Sequence, residues 1–233
     1  MVLAVPEYGP ALGDPYARWS GELVLVRHAQ TGCTLTGEFC GDHDPPLSPA
    51  GRLMAAQLAD AGGLAGLDQL VASPARRCVQ TAGPLAGRHG LITQLDPRLR
   101  ELSFGRWERR RPAQVRAEPD YRRWCSDPAQ HPPPGGETGQ AVLDRVLAAA
   151  AEAMAGRVGA DQTRVALLTH KAPVRLLVCH FLGLPLADYR RIGPVAVSSV
   201  TRIAFDGGRA RLVELGGVDH LAPHWQAAPD LAS

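Results

Sequence analysis

The sequence predicts an α/β fold, a mostly parallel central sheet with helices on both faces. Three observations carry that prediction. The short apolar runs Leu23-Val24-Leu25-Val26, Leu70-Val71-Ala72 and Val165-Ala166-Leu167-Leu168 are each bounded by polar residues, the pattern of strands buried on both sides of a sheet. Helix-like stretches separate and follow these runs. Strand alternating with helix is the order of a parallel sheet covered by helices.

Taken along the chain, residues 1–20 come first. They contain Pro6, Glu7, Pro10, Asp14 and Pro15 and lack a basic start and a continuous apolar stretch. They read as a loose N-terminal extension rather than a secretory signal. Residues 21–222 read as a single catalytic domain. Its first run leads into Arg27-His28, and residues 48–61 then open on Ser48-Pro49, a capping residue with proline in the first helical turn. The second run leads into Ser73-Pro74-Ala75-Arg76-Arg77. Residues 105–139 are rich in Arg, Pro and Gly and weakly periodic. They read as an excursion over the sheet edge, with short helices around 113–123, of the kind that forms lids and specificity walls. An alanine-rich helix is expected over 141–158, ending near Gly159. The third run leads into Thr169-His170, and a helix over 173–182 stops at Gly183. Residues 200–205 and 210–215 flank Asp206-Gly207-Gly208 and predict two strands joined by a tight turn. Residues 223–233 read as a loose tail.

Composition bounds the function. The 233 residues are 45% apolar, and one domain accommodates them. A net charge of +2 gives no global field for nucleic acid or an anionic membrane. No run of about twenty apolar residues calls for a membrane span. Cys33, Cys40, Cys78, Cys125 and Cys179 are scattered, odd in number and free of a Cys-x-x-Cys pair. That argues against a disulfide framework or zinc site and for thiols in a reducing, cytoplasmic setting. Lys171 is the only lysine. The oligomeric state is open, a homodimer being one option.

The candidate site follows from the fold logic. Ligands of such sheets sit outside the carboxyl ends of the strands, where these runs deliver Arg27, His28, Arg77 and His170 to one crevice. Two arginines and two histidines suit a tetrahedral, doubly charged anion, because the guanidinium fork fits phosphate oxygens. Histidine attacks phosphorus only as neutral imidazole. Arg27 and Arg77, and His170 if protonated, would depress the pKa of His28 and keep it neutral. A leaving alkoxide needs a proton, and Glu101 is the best local candidate to supply it. The arginines neutralise the transferring group, so no metal is called for. His43, His180 and His220 read as structural, and the arginine-rich stretch 106–123 as a solvated face.

Six stretches then resemble, in order, the motifs of the histidine phosphatases, the phosphoglycerate-mutase-like superfamily in its first branch. Val26-Arg27-His28-Ala29-Gln30-Thr31 resembles the Arg-His-Gly signature, and residues 41–52 the segment that follows it. Residues 73–82 resemble the second arginine motif, with Arg77 at the phosphate position. Residues 99–108 resemble the acid motif, with Glu101 as donor, and residues 133–138 the Pro-Gly-Gly-Glu-Ser segment. Thr169-His170 resembles the second histidine motif. The resemblance implies a three-layer sandwich, a phosphohistidine on His28, a phosphate clamp of Arg27, Arg77 and His170, and no cofactor.

This chain departs from the pattern at Ala29, which stands for glycine, at Thr34, which stands for an asparagine that touches phosphate, and at Lys171-Ala172, which stand for Gly-Gly. Thr34 and Lys171 are therefore added to the expected substrate contacts. Two functions compete. One is a metal-independent phosphomonoester hydrolase with a small anionic substrate. The other is a repurposed relative in bacterial secondary metabolism, using the crevice for acid–base chemistry on a carbonyl-bearing substrate. Ring-forming cyclisation of a carbazole or quinone precursor is the example that the resemblance to mutase-like cyclases supplies.

Overall fold

The first apolar run becomes the middle of the sheet. In the computed structural model, which describes residues 4–13, 16–155 and 163–226, it forms strand β2 (Gly21–Arg27), preceded in sequence by β1 (Tyr8–Ala11). The other strands are β3 (Gln69–Ala72), β4 (Thr93–Leu95), β5 (Thr163–Thr169), β6 (Val200–Asp206) and β7 (Arg209–Gly217). Seven strands lie in the order β1-β7-β6-β2-β5-β3-β4. The pairs β2–β5, β5–β3 and β3–β4 are parallel, and β6, β7 and β1 extend the sheet antiparallel. The sheet is thus mostly, not wholly, parallel.

Side chains alternate across a strand, and here each face has its own core. Leu23 and Leu25 of β2, with Val165 and Leu167 of β5, enter one apolar cluster. Val24, Val26, Ala166 and Leu168 enter the other. The register Leu23↔Val165 and Leu25↔Leu167 keeps like faces together. Helices α6 (Gly139–Ala155) and α7 (Lys171–Phe181) contribute to the first core. Helices α2 (Pro49–Leu58) and α3 (Arg76–His89) contribute to the second through Leu58, Cys78, Ala82 and Leu85. The Ser48 hydroxyl caps α2 by accepting from the Gly51 N–H at 2.9 Å. Gly207 (φ 53°) and Gly208 (φ 77°) turn β6 into β7, two left-handed positions that a two-residue hairpin turn demands. Helix α3 and strand β4 are elements that the apolar pattern did not single out.

Several boundaries differ from expectation. The described part of the N-terminal segment is docked rather than loose. β1 pairs with β7, and Trp19, 4% exposed, packs at 5.0 Å on Phe205 and 5.7 Å on Phe181. The tail also begins ordered, since Pro223–Gln226 form a short helix and Trp225 packs against the cluster of Ala29, Leu47 and Met54. Residues 227–233 and the expected helix end at 156–158 lie outside the described residues. The short helices expected around 113–123 are present as two, shifted at their ends to Pro112–Val115 and Pro119–Ser126. Trp107 and Trp124 are buried against Phe39, with ring centroids at 5.8 and 5.7 Å, so this excursion is anchored by an aromatic core. Helix α7 starts at Lys171 rather than 173, which makes His170 its N-cap residue. Among the described residues no helix is long and apolar enough to cross a membrane.

Candidate active site

The carboxyl ends of β2, β3 and β5 meet as the sheet topology requires. Arg27 ends β2 and His28 follows it; Ser73 follows β3; Arg77 lies in the first turn of α3; His170 follows β5. The His28 and His170 rings are 5.1 Å apart at 65°. Both are buried, at 4% and 0% exposure.

Hydrogen bonding assigns the protons on both rings. His28 Nδ1 lies 2.8 Å from the Ala29 carbonyl oxygen. A carbonyl only accepts, so Nδ1 carries the hydrogen and Nε2 keeps its lone pair. For His170, Arg77 Nε donates to Nδ1 at 3.2 Å. Nδ1 is therefore the acceptor, and Nε2–H donates to Ser73 Oγ at 2.9 Å. Burial, reinforced by the Arg77 charge, holds both imidazoles well below their ordinary pKa; Arg27 adds to the effect at His28. His170 is thus neutral. It does not act on His28 as an imidazolium, which corrects one of the options carried from the sequence.

The two arginines are held differently. Arg27, 2% exposed, donates through Nη1 to the Val195 carbonyl at 2.6 Å. Arg77, 1% exposed, spends its donors on the chain: besides His170 it reaches the carbonyls of His43 (2.9 Å), Gly41 (3.1 Å) and Cys40 (3.3 Å). An open fork was expected there. The loop 40–43 curls over the guanidinium instead, so in this arrangement Arg77 presents mainly its charge.

Glu101 is buried at the start of α7. Its carboxylate accepts from the backbone N–H groups of Leu102 (2.9 Å), Lys171 (3.1 Å) and Ala172 (3.2 Å). Burial raises its pKa, against the lowering pull of those bonds and of both arginines. Lys171 is also buried and borders the cavity, and its backbone N–H is bonded to Glu101. Thr34 is spent locally. Its hydroxyl donates to the Thr31 carbonyl and accepts from the Thr31 N–H, both at 2.9 Å, within the cap of helix α1 (Gly32–Thr36).

A cavity of about 30 Å³ connects these groups. Arg27, His28, Thr34, Arg77, Glu101 and Lys171 line it; His170 stands behind them. The rest of its lining comes from Thr31, Cys33, Glu38, Cys40 and Phe104. Among the described residues no cluster of three or more His, Cys, Asp or Glu could hold a metal ion.

Two positioning residues were not legible. Ser73 Oγ accepts the hydrogen bond from His170 Nε2–H, and its one signal was its place directly after a strand. Glu108 accepts from the N–H groups of Gly41, Asp42, His43 and Phe104, at 3.0 to 3.1 Å. It thereby fixes the loop that holds Arg77, and nothing local in the sequence marks it for that task.

A mixed sheet carrying buried arginines and paired neutral imidazoles at its strand ends defines an α/β anion-handling site. Comparison gives the family. The sequence profile of the histidine phosphatase superfamily (branch 1) matches residues 23–217, and the chain belongs to that superfamily. It is 32% identical over 188 residues to glucosyl-3-phosphoglycerate phosphatase of Mycobacterium tuberculosis, covering 78% of this chain and 84% of that one. It is 30% identical over 174 residues to phosphoserine phosphatase 1 of Hydrogenobacter thermophilus, covering 74% and 81%. A solved structure of the mycobacterial glucosyl-3-phosphoglycerate phosphatase with VO3 superposes with a TM-score of 0.77 at 31% identity, covering 85% of this chain and 100% of that chain.

Proposed function

We propose that this chain is a phosphomonoester hydrolase that works through a phosphohistidine on His28 and needs no metal. The observation that carries the reading is the Nδ1–H bond to the Ala29 carbonyl. It leaves the Nε2 lone pair of a neutral, buried imidazole at a small cavity bordered by Arg27, Arg77 and Glu101. In the first step Nε2 attacks phosphorus and the bond to the ester oxygen breaks. Glu101 gives its proton to the departing alkoxide. In the second step the Glu101 carboxylate takes a proton from water, whose oxygen attacks phosphorus. The N–P bond breaks, inorganic phosphate leaves, and His28 is again neutral. The two guanidinium charges stabilise the transferring group, and neutral His170 orients Arg77.

Relatives named as phosphatases of small phosphorylated compounds support the hydrolase reading. The cyclase alternative needs a mostly apolar pocket on the usual ligand scale of roughly 300–1,000 Å³. The cavity beside His28 is on the scale of a few water molecules and lined by charged groups, so no observation favours that alternative. Hydrolysis of an aryl phosphate tests the proposal. Wild type is expected to release phosphate, and His28→Ala to lose about 10⁴-fold or more in kcat. Equal inertness of both proteins toward every phosphate ester would overturn it.

A further inference from the structure

Two of the cysteines stand at the catalytic cavity. Cys33, in α1, and Cys40, in the loop that covers Arg77, both line it. Cys33 is 5% exposed and Cys40 is half-buried. Their side chains are hydrogen-bonded to each other. Cys40 Sγ also lies 3.3 Å from the His43 carbonyl oxygen, and Cys33 Sγ lies 3.9 Å from Glu38 Oε2. The pair is asymmetric. Donation from Cys40, helped by the Arg77 charge, holds the Cys33 thiol below its ordinary pKa against burial and Glu38. The same bond, with burial, raises that of Cys40. Elsewhere, burial pushes the thiols of Cys78 and Cys179 up to about 12, and buried thiols of that kind are inert. Cys125 is exposed on the helix Pro119–Ser126.

From this juxtaposition we propose that Cys33 and Cys40 are a redox-active dithiol, which a hydroperoxide oxidises to an intramolecular disulfide that disables the catalytic cavity. The thiolate is the reacting form of cysteine, and a sensor cysteine stands beside a second thiol that resolves it. The Cys33 thiolate attacks the terminal peroxide oxygen and the O–O bond breaks. An alkoxide, or hydroxide from hydrogen peroxide, leaves and takes up a proton, and Cys33 becomes a sulfenic acid. Cys40 sulfur then attacks Cys33 sulfur. The S–S bond forms, the S–O bond breaks, and the hydroxyl leaves as water with the Cys40 proton. Two thiols lose two electrons and the peroxide gains them; a dithiol reductant reverses the change by exchange. A disulfide draws its sulfurs to about 2.05 Å, so the Cys40 side chain and its backbone shift toward α1. The Cys40 carbonyl accepts from Arg77, and those of Gly41 and His43 beside it do the same. Oxidation thus narrows the cavity and disturbs the clamp on its arginine together. A transient disulfide of this sort belongs to reducing compartments, where lasting ones are rare. Its effect on turnover rests on the phosphatase reading; the cross-link itself does not.

The test pairs a mass measurement with an activity assay on the whole protein. Residues 28–52 form one tryptic peptide that holds both cysteines and no other. After hydrogen peroxide, and then iodoacetamide before digestion, that peptide is expected to have lost two hydrogens and to carry no alkyl group. Hydrolysis of an aryl phosphate is expected to fall about tenfold or more, since misplacement by about 1 Å can cost 10²-fold. Dithiothreitol is expected to reverse both changes. Each variant is compared with its own untreated rate. Cys33→Ala is expected to lose the response to peroxide, and Cys125→Ser to keep it. In Cys40→Ala, which removes the resolving thiol, Cys33 is expected to go on to the sulfinic acid. Full alkylation of the peptide after peroxide would overturn the proposal. So would a disulfide that leaves the rate unchanged, or equal inactivation of Cys33→Ala. Inertness of the untreated protein toward every phosphate ester would sink the phosphatase reading and the effect on turnover, while the peptide mass still decides whether the cross-link forms.

Discussion

The hydrogen bond from His28 Nδ1 to the Ala29 carbonyl and the burial of the ring act together on one side chain. The bond selects the tautomer, and burial beside Arg77 and Arg27 keeps the ring unprotonated. Burial acts on Glu101 in the opposite functional sense, raising the pKa of its carboxyl group. The proposed mechanism needs His28 neutral and Glu101 protonated. The pH profile of kcat/KM is therefore expected to be bell-shaped. Its acid limb lies below 6.5, the ordinary histidine value. Its basic limb lies above 4.5, the ordinary glutamate value. Glu101→Gln is expected to lose the basic limb and to lower kcat by roughly 10²–10⁴ with alkyl esters, and by less with an aryl ester whose leaving group needs little protonation. An unchanged profile in that variant would remove Glu101 from the proton transfer.

The elements around the site are held by contacts that the motifs do not announce. Glu108 gathers four backbone N–H groups, three of them from the loop whose carbonyls clamp Arg77. Charge-assisted bonds of this kind are the strong ones. Glu108→Ala is expected to cost about 2 kcal/mol in urea unfolding and to lower kcat/KM about tenfold by releasing Arg77. If stability falls while kcat/KM holds, the loop does not position Arg77. At the other end of the sheet, Trp19 joins β1 and its flanking turn to the core through Phe181 and Phe205. Trp19→Ala is expected to cost about 3–5 kcal/mol. A cost under roughly 1 kcal/mol would make the segment peripheral.

For the whole molecule, the buried imidazoles make stability depend on pH. In the unfolded chain His28 and His170 take up protons as pH falls through 6.5, while the native rings refuse them. Their contribution is complete above 6.5 and is lost below it, at up to about 1.4 kcal/mol per pH unit for each ring. Glu101 works against this. Its raised native pKa gives stability that is present below 4.5 and lost as pH rises through the raised value. With two rings strongly shifted, the denaturation midpoint is expected to fall between about pH 7 and about pH 5, and to fall less in His170→Asn. The central architecture was legible because β2, β3 and β5 are buried on both faces, leaving short apolar runs, with Arg or His at or shortly after their ends. β4 was not, since Thr93-Gln94-Leu95 is short, mostly polar and at the sheet edge. β1 was not, because a proline-rich edge strand takes its order from β7 and Trp19 rather than from its own pattern. Arg27, His28, Arg77, Glu101 and His170 were brought together as the motif order implied. The saturation of Arg77 by loop carbonyls and the local use of Thr34 depend on backbone paths that motif spacing does not encode.

Trapping the intermediate tests the central claim most directly. Mixing the enzyme with a ³²P-labelled ester and quenching in alkali should leave label that is stable to base and labile to acid, mapped to His28 and absent from His28→Ala. Phosphate release at the wild-type rate with no such label, or label retained in His28→Ala, would contradict the account.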